Sequence, residues 1–592
     1  MSTQDAIEHA LAQHRAGSLG AAVAGYEAVL GSDPSHVDAL HMLGVARLQM
    51  GQPDKAAELI GRAIELQPDL VAAQVNLAAA LLALGRREAA LAALDRALAF
   101  EPRLAGVQLN RANLLMELGR HEEALSAFDA AIETEPDRME VHNDRGAALL
   151  AMGWLDAALV SFERAVALRP DAAAPLSNRA AVLNELERPE EAAASCRQAI
   201  QRDPHHAGAR HNLGTALLKL DRPDAALERF AEALARDPGM ADAEIGRGLA
   251  LYALRRPAEA MACFDASIAL RPSAEAHFGR AKARLALGDL QGGFDDLNWR
   301  WRLRRSSQRL PELGCPLWRG EDPAGKSILI HCEQGFGDSL QFVRYAGLLA
   351  ERGAKVTLRA DASLVRLFQS IPAINVVTSY DPAAFDLHVP MMDLPLGFGT
   401  TLATIPATSP YLAAQFADIA HWKARITDEG RALRVGLVWA GKSRVHDPAA
   451  FATDRRRSMS LAQFAPLGAV PGVRCFSLQK GPPAGEAASA PPGLRLVDHT
   501  TELRDFADTA ALIEALDLVI SVDTSVAHLA GALGKPVWVL SRFDGCWRWL
   551  NGREDSPWYP SARIFHQARP GDWAEVIRRV TRELGSLSAS RR

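Results

Sequence analysis

The stretch LLALGRREAALAALDRALAF (residues 81–100) decides how the first half of this chain folds. Its apolar residues recur at helical spacing, Gly85 interrupts them, and Glu101-Pro102 ends the run. It therefore reads as the end of one helix, a turn and a second helix. Pro102 is one of a series, Pro34, Pro68, Pro102, Pro136, Pro170, Pro204, Pro238 and Pro272, each 34 residues after the last. Twelve residues before each proline stands Ala22, Ala56, Ala90, Ala124, Ala158, Ala192, Ala226 or Ala260. Another register position holds Gly44, Ala78, Ala112, Gly146, Ala180, Gly214 and Gly248. Small residues at fixed places let two helix axes approach, and a proline after the second helix stops it. Gly51, Gly85, Gly119 and Gly153 fall at the turn inside each pair, where a left-handed residue is wanted.

A period of 34 residues built from helix pairs is that of the tetratricopeptide repeat (TPR). Eight repeats fill residues 3–272, and a ninth, one residue short before Gly279-Arg280-Ala281, runs to residue 305. Such an array is a binding surface whose first helices line one side. The sixth position of the first helix reads Asn76, Asn110, Asp144, Asn178 and Asn212 in consecutive repeats, with Met42 and Gly246 breaking the run at either end. Stacked carboxamides can hold the backbone of an extended peptide; the alternative is a plain solvated helix face.

Composition narrows the class. The 592 residues suit three or four domains, and Lys plus Arg (66) nearly balances Asp plus Glu (71), against a dedicated nucleic-acid binder. Six scattered cysteines without a CxxC pair read as buried apolar residues in a reducing compartment. No export signal or uncharged apolar span of membrane length is read, so the expected location is cytoplasmic.

After GFDDLNWRWRLRR (293–305) the pattern changes. Short β-branched runs, SILIHC (327–332), KVTLRA (355–360) and INVVTS (374–379), alternate with helical segments. A second series follows in LRVGLVWAG (433–441), GVRCFSLQ (472–479), LRLVDHT (494–500), LDLVISVD (516–523) and KPVWVLS (535–541). Two tandem parallel, doubly wound sheets are expected, with a hinge in 413–432 and a site in the cleft between them.

The first sheet carries HCEQGFGDSLQF (331–342), where Gly335 and Gly337 permit close backbone approach and Asp338 is either a general base or a helix cap. This is not GxGxxG, and no GxxxxGK[ST] occurs, so neither a nicotinamide cofactor nor a P-loop is supported. In the second sheet Asp523-Thr524-Ser525 ends a buried strand and opens a helix bearing His528, a ready phosphate site or an ordinary packed turn. The loop GKSRVHDPAAFATDRRRS (441–458) adds Lys442, Arg455, Arg456, Arg457 and Ser458, suited to a phosphorylated ligand or to solvated surface. FDGCWRWLNGREDSPWYP (543–560) would stack a base, close the cleft or form core.

The strings HCEQGFGDSLQFVRYAGLLAERGAKV, DFADTAALIEALDLVISVDTSVAHLAGALGKPVWVL and WRWLNGREDSPWYPSARIF resemble bacterial TPR-linked glycosyltransferases of the GT-B fold, distantly similar to the lipopolysaccharide heptosyltransferases. The layout is also similar to that of protein O-GlcNAc transferases, and some bacterial members modify flagellin with a nonulosonic acid sugar. The resemblance implies an acceptor side in the first lobe and a nucleotide-sugar side in the second. Asp338 matches the aspartate of the GD motif, the base of that family. Asp523, Thr524 and His528 match D-[ST]-G-x-x-H, from which Ser525 departs at the glycine. Lys442 and Ser458 match donor-loop positions. No DxD metal motif is required.

The expected architecture is an α-helical TPR solenoid (1–305) followed by an α/β GT-B fold of two Rossmann-like domains facing a cleft (306–425 and 426–592). The expected function is protein O-glycosylation: a sugar moves, without a metal or other cofactor, from a CMP- or UDP-linked donor to Ser or Thr of a protein held by the repeats, with flagellin as first candidate. The alternatives are a TPR adaptor with an inactive transferase fold, and a transferase acting on a glycan or lipid.

Overall fold

The computed structural model describes residues 3–303, 309–426, 432–442 and 447–591. The chain divides into two compact units, Met1–Asp221 and Arg222–Arg592. The division falls inside the repeats, while the expected boundary at 305/306 lies outside the described residues.

In the first unit, antiparallel helix pairs follow one another at the expected period, as in Val37–Gln49 with Pro53–Leu66 and Met139–Ala151 with Leu155–Leu168. The register alanines are where helices touch: Ala22, Ala56, Ala90, Ala124, Ala158 and Ala192 are fully buried. A Cβ on Gly44 would lie 2.5 Å from Ile60 Cγ1, and one on Gly146 would lie 2.8 Å from the Phe162 ring. The turn glycines Gly51, Gly85, Gly119 and Gly153 have φ of +72°, +71°, +74° and +79°. The same turn in later repeats is made by Glu187, Asp221 and Arg255 at φ near +58° to +59°. The chain there accepts a left-handed non-glycine residue because the helices on both sides fix it.

The second unit begins with further helix pairs, from Pro223–Leu234 to Leu290–Leu297. They are followed by two parallel sheets. The first contains β1 (Ser327–His331), β2 (Lys355–Arg359), β3 (Ile374–Val377) and β4 (Leu387–Pro390), in the order β3-β2-β1-β4. The second contains β5 (Leu433–Val438), β6 (Val473–Ser477), β7 (Leu496–Val497), β8 (Leu518–Val522), β9 (Val537–Ser541) and β10 (Ala562–His566), in the order β10-β9-β8-β5-β6-β7. Every pairing within both sheets is parallel. β8 and β9 are buried along their whole length and read as continuous apolar runs, as parallel strands covered on both faces do. β4 and β10 were not expected, and the strand foreseen over 494–500 is only Leu496–Val497.

All six cysteines are free thiols. Burial pushes Cys196 and Cys475 up to about 12, so they act as inert apolar residues.

Candidate functional site

Apart from Ser458, which ends the helix Pro448–Arg457, the site residues foreseen in the second half lie on the segments that follow strand C-termini, where ligands of open parallel sheets bind. After β1 the chain turns at Gln334, φ +60°, and opens the helix Phe336–Phe342. Asp338 occupies the third position of that helix rather than its cap, and its Oδ2 accepts from the Gly335 N–H at 3.1 Å. Its Oδ1 accepts from Arg548 in a short ion pair. Both side chains are 14 % exposed, so the pair is shielded from water. The two alternatives for Asp338 are thus not exclusive: it ties down the helix start and stands at the junction of the lobes.

After β8, Asp523 is buried and accepts from Trp549 Nε1 at 2.8 Å. Burial opposes its charge, but Arg542 (3.8 Å), Arg457 and the indole bond outweigh it and hold its carboxyl below the usual range. Thr524 begins the helix Ser525–Ala532 without capping it by its side chain; its Oγ1 lies 3.0 Å from Ser521 Oγ. The first N–H groups of that helix therefore have no hydroxyl cap from Thr524, and Thr524 and Ser525 are both half-buried.

His528 is not presented to solvent. It is 4 % exposed, its ring stacks on Trp549 at 4.9 Å, and its Nδ1 lies 3.0 Å from the Tyr559 hydroxyl. Burial drives its pKa down to about 4, so the imidazole is neutral near pH 7. A Cβ on Gly337 would lie 2.9 Å from His528 Cδ2. Gly337 is required so that the helix Phe336–Phe342 can lie directly on the helix Ser525–Ala532, which brings Asp338 of one lobe to the turn after β8 in the other.

The loop after β5 is held by Gln479, whose Oε1 accepts from the N–H groups of Trp439 (3.1 Å) and Ala440 (2.9 Å). Ser458 accepts from the Gly441 N–H at 3.0 Å, so its hydroxyl shapes the loop. Lys442 is exposed, and its charge reaches Asp361 at the start of a first-lobe helix. Residues 443–446 of that loop lie outside the described residues. Of the arginine run, Arg457 pairs with Asp454 and donates to the Asp523 carbonyl (3.0 Å), Arg456 pairs with Asp544 (3.2 Å), and Arg455 is exposed.

Four groups at this site escaped the sequence reading. Arg548 and Trp549 lie in the aromatic segment, which is core: Trp549, Trp558 and Tyr559 are fully buried. Arg366 joins the lobes by pairing with Asp505 at 2.6 Å and with Asp508. Arg300 forms a fork to Glu333 (2.9 and 2.7 Å) and reaches Asp393 (2.7 Å), fixing the loop after β1. Burial pushes Glu333 upward, with Arg300 opposing. Only the WRW string hinted at any of these.

The amide series of the repeats lies in the first unit. Asn178 Nδ2 donates to Asn143 Oδ1 (2.9 Å), Asn212 Nδ2 to the Ser177 carbonyl (2.9 Å), and Asn76 Nδ2 lies 2.8 Å from His41 Nε2. Asp144 accepts from Asn113 (3.1 Å), and Asn110 is exposed. These bonds run from one first helix to the previous one and stitch repeats together, leaving only part of each carboxamide for a ligand.

Comparison with known proteins bears on both halves. Tetratricopeptide repeat profiles match residues 13–81, 48–108, 109–173, 171–238, 211–275 and 247–298. The glycosyltransferase family 9 (heptosyltransferase) profile matches residues 500–540, which hold β8, the Asp523-Thr524-Ser525 turn and His528. Protein FlbA of Caulobacter vibrioides is 29 % identical over 348 residues, 54 % of this chain and 56 % of FlbA. The chain thus spans about half the length of the curated relative it matches. Among solved structures, PilF of Pseudomonas aeruginosa is 23 % identical with a TM-score of 0.32, covering 36 % of this chain and 97 % of that one. A MamA protein is 24 % identical with a TM-score of 0.27, covering 28 % and 92 % respectively. No helix among the described residues is long and apolar enough to cross a membrane. The chain joins tetratricopeptide repeats to a parallel α/β region that carries a glycosyltransferase family 9, heptosyltransferase-like, segment.

Proposed function

We propose that this protein is a metal-independent protein O-glycosyltransferase. A CMP- or UDP-linked sugar sits at the turn Asp523-Thr524-Ser525, and the repeats hold the polypeptide whose Ser or Thr hydroxyl accepts the sugar. The observation that carries the reading is the contact made possible by Gly337: it sets the GFGD turn of one lobe against the helix opening that follows β8, inside the segment similar to heptosyltransferases. The hydroxyl attacks the anomeric carbon, the bond from that carbon to the nucleotide phosphate breaks, and the hydroxyl proton passes to Asp338. The helix N-terminus with Lys442 and Ser458 offsets the charge left on the phosphate. Asp338 must part from Arg548 to take that proton, so binding of the acceptor and loosening of the pair are coupled. Flagellin is the first acceptor to test, on the family resemblance alone, and the site of action is the cytoplasm.

One observation favours a second reading. Asp338 is already engaged on both oxygens, as a TPR adaptor with an inactive transferase fold would allow. Calorimetric titration with CMP- and UDP-sugars separates the two. The transferase binds at least one of these donors, whereas the adaptor binds none.

A further inference from the structure

Where the last repeats meet the loop after β9, basic side chains gather around a lysine that has no anion of its own among the described residues. Lys282 lies on the helix Ala274–Leu287, which packs on the turn Trp547–Trp549. Its ammonium rests against the rings of Phe278, 5.1 Å from the centroid, and Tyr252, 5.8 Å away. Among the described residues it has no carboxylate or carbonyl partner. Beside it, Arg542 pairs with Asp544 at 2.7 Å and reaches Asp523 at 3.8 Å. Arg456 also pairs with Asp544, at 3.2 Å. Asp544 is thus shared by two guanidiniums, Arg542 leans on Asp523 as well, and Lys282 is paired with neither carboxylate. Arg255 adds a further cation, 5.8 Å from the Phe543 centroid. Burial lowers the Lys282 pKa, Arg542 and Arg456 push it the same way, and only Asp544 opposes them.

Aromatic faces attract a cation but do not neutralise it, and a charge left short of an anion in a shielded place is costly unless a ligand supplies one. A lysine whose stem merely covered Phe278 and Tyr252 would be replaced without loss by methionine. Arg542 links this cluster directly to Asp523, so an anion held here adjoins the turn after β8.

We infer that Lys282, Arg542 and Arg456 form an oxyanion subsite that takes a phosphate or carboxylate group of the substrate, so that the last repeat itself supplies a binding residue to the α/β site. The inference rests on the transferase reading for its setting, and its test separates the two. The full chain is titrated calorimetrically with inorganic pyrophosphate, UDP and glucuronate, as wild type, Lys282→Met, Lys282→Arg and Arg456→Gln. Lys282→Met is expected to bind pyrophosphate and UDP about tenfold more weakly. Lys282→Arg restores most of the affinity, and Arg456→Gln weakens it in the same direction. Loss confined to glucuronate assigns the subsite to a carboxylate instead of a phosphate. Equal affinity of wild type and Lys282→Met for all three probes overturns the subsite and leaves the transferase reading standing; wild type that binds none of them also overturns the subsite, while the transferase reading is decided apart from it by the titration with CMP- and UDP-sugars. If Lys282→Met does not fold, Arg456→Gln decides, and unchanged affinity in that variant overturns the subsite.

Discussion

The first unit and the α/β part of the second are held together by different kinds of contact. In the repeats, contacts join neighbours: Gly44 against Ile60, Gly146 against Phe162, and exposed ion pairs such as Arg188–Glu191 three residues apart. In the α/β part the decisive links are distant in sequence, as with the shielded pairs Arg548–Asp338 and Arg300–Glu333 and the half-buried pair Arg366–Asp505. A repeat array gains stability by adding similar interfaces, so damage stays local. A site built by remote charges depends on each partner. Substitutions that test this contrast should spread their damage in the second region and keep it local in the first.

The two largest effects are expected at Arg300 and Phe162, equal in size and different in reach. Arg300→Met leaves Glu333 and Asp393 close together without their cation, and costs about 3–5 kcal/mol in chemical denaturation. Phe162→Ala empties a fully buried ring position in the repeats and costs about 3–5 kcal/mol locally. Hydrogen exchange should show the loss confined to residues near Met139–Leu168, with the α/β amides unchanged. Protection lost throughout the chain would break the comparison.

Acid should act on the second region first. The folded pKa of His528, about 4, lies below the unfolded value of 6.5, so the unfolded chain binds the proton more readily. Its contribution is complete above pH 6.5 and is lost as pH falls toward 4, by about 3 kcal/mol. His528→Gln should flatten that dependence in urea midpoints measured between pH 4.5 and 7.5. The smallest effect belongs to the turns: Gly153→Ala, at φ +79°, costs about 1 kcal/mol, read as a lowered melting temperature. Glu187→Gly removes a left-handed side chain but also its pair with Lys219 (2.5 Å), so it gains less than that.

The same contrast explains what the sequence disclosed. The repeats were legible because every unit restates the same physical demand, a small residue where helices cross and a left-handed turn between them. Even there the series of turn glycines gave no hint that Glu187, Asp221 and Arg255 adopt the same conformation, since tertiary fixing replaced residue preference. In the α/β half, β8 and β9 announced themselves as continuous apolar runs. β4, a four-residue strand ending in Pro390, and β10, ARIFH with its charged and polar members, did not. Asp338, Asp523, Thr524, Ser525 and His528 were legible as motifs, and the structure places them at one junction of the lobes. Their partners were not: Arg548 is separated from Asp338 by 210 positions, and no local pattern can express such a pairing. The amides Asn76, Asn178 and Asn212 were legible as a series, while their bonds back to the preceding repeat follow only from how the helices stack.

The central claim is that the junction built around Asp338 transfers sugar to a protein hydroxyl. The most direct test is intact-mass measurement of an acceptor, flagellin first, produced together with the full chain as wild type or as Asp338→Asn. The account predicts a sugar-sized mass increment with wild type, and formation of the modified acceptor slowed at least about 100-fold by Asp338→Asn, with circular dichroism confirming that the variant is folded. The same increment at the same rate with both proteins would contradict it.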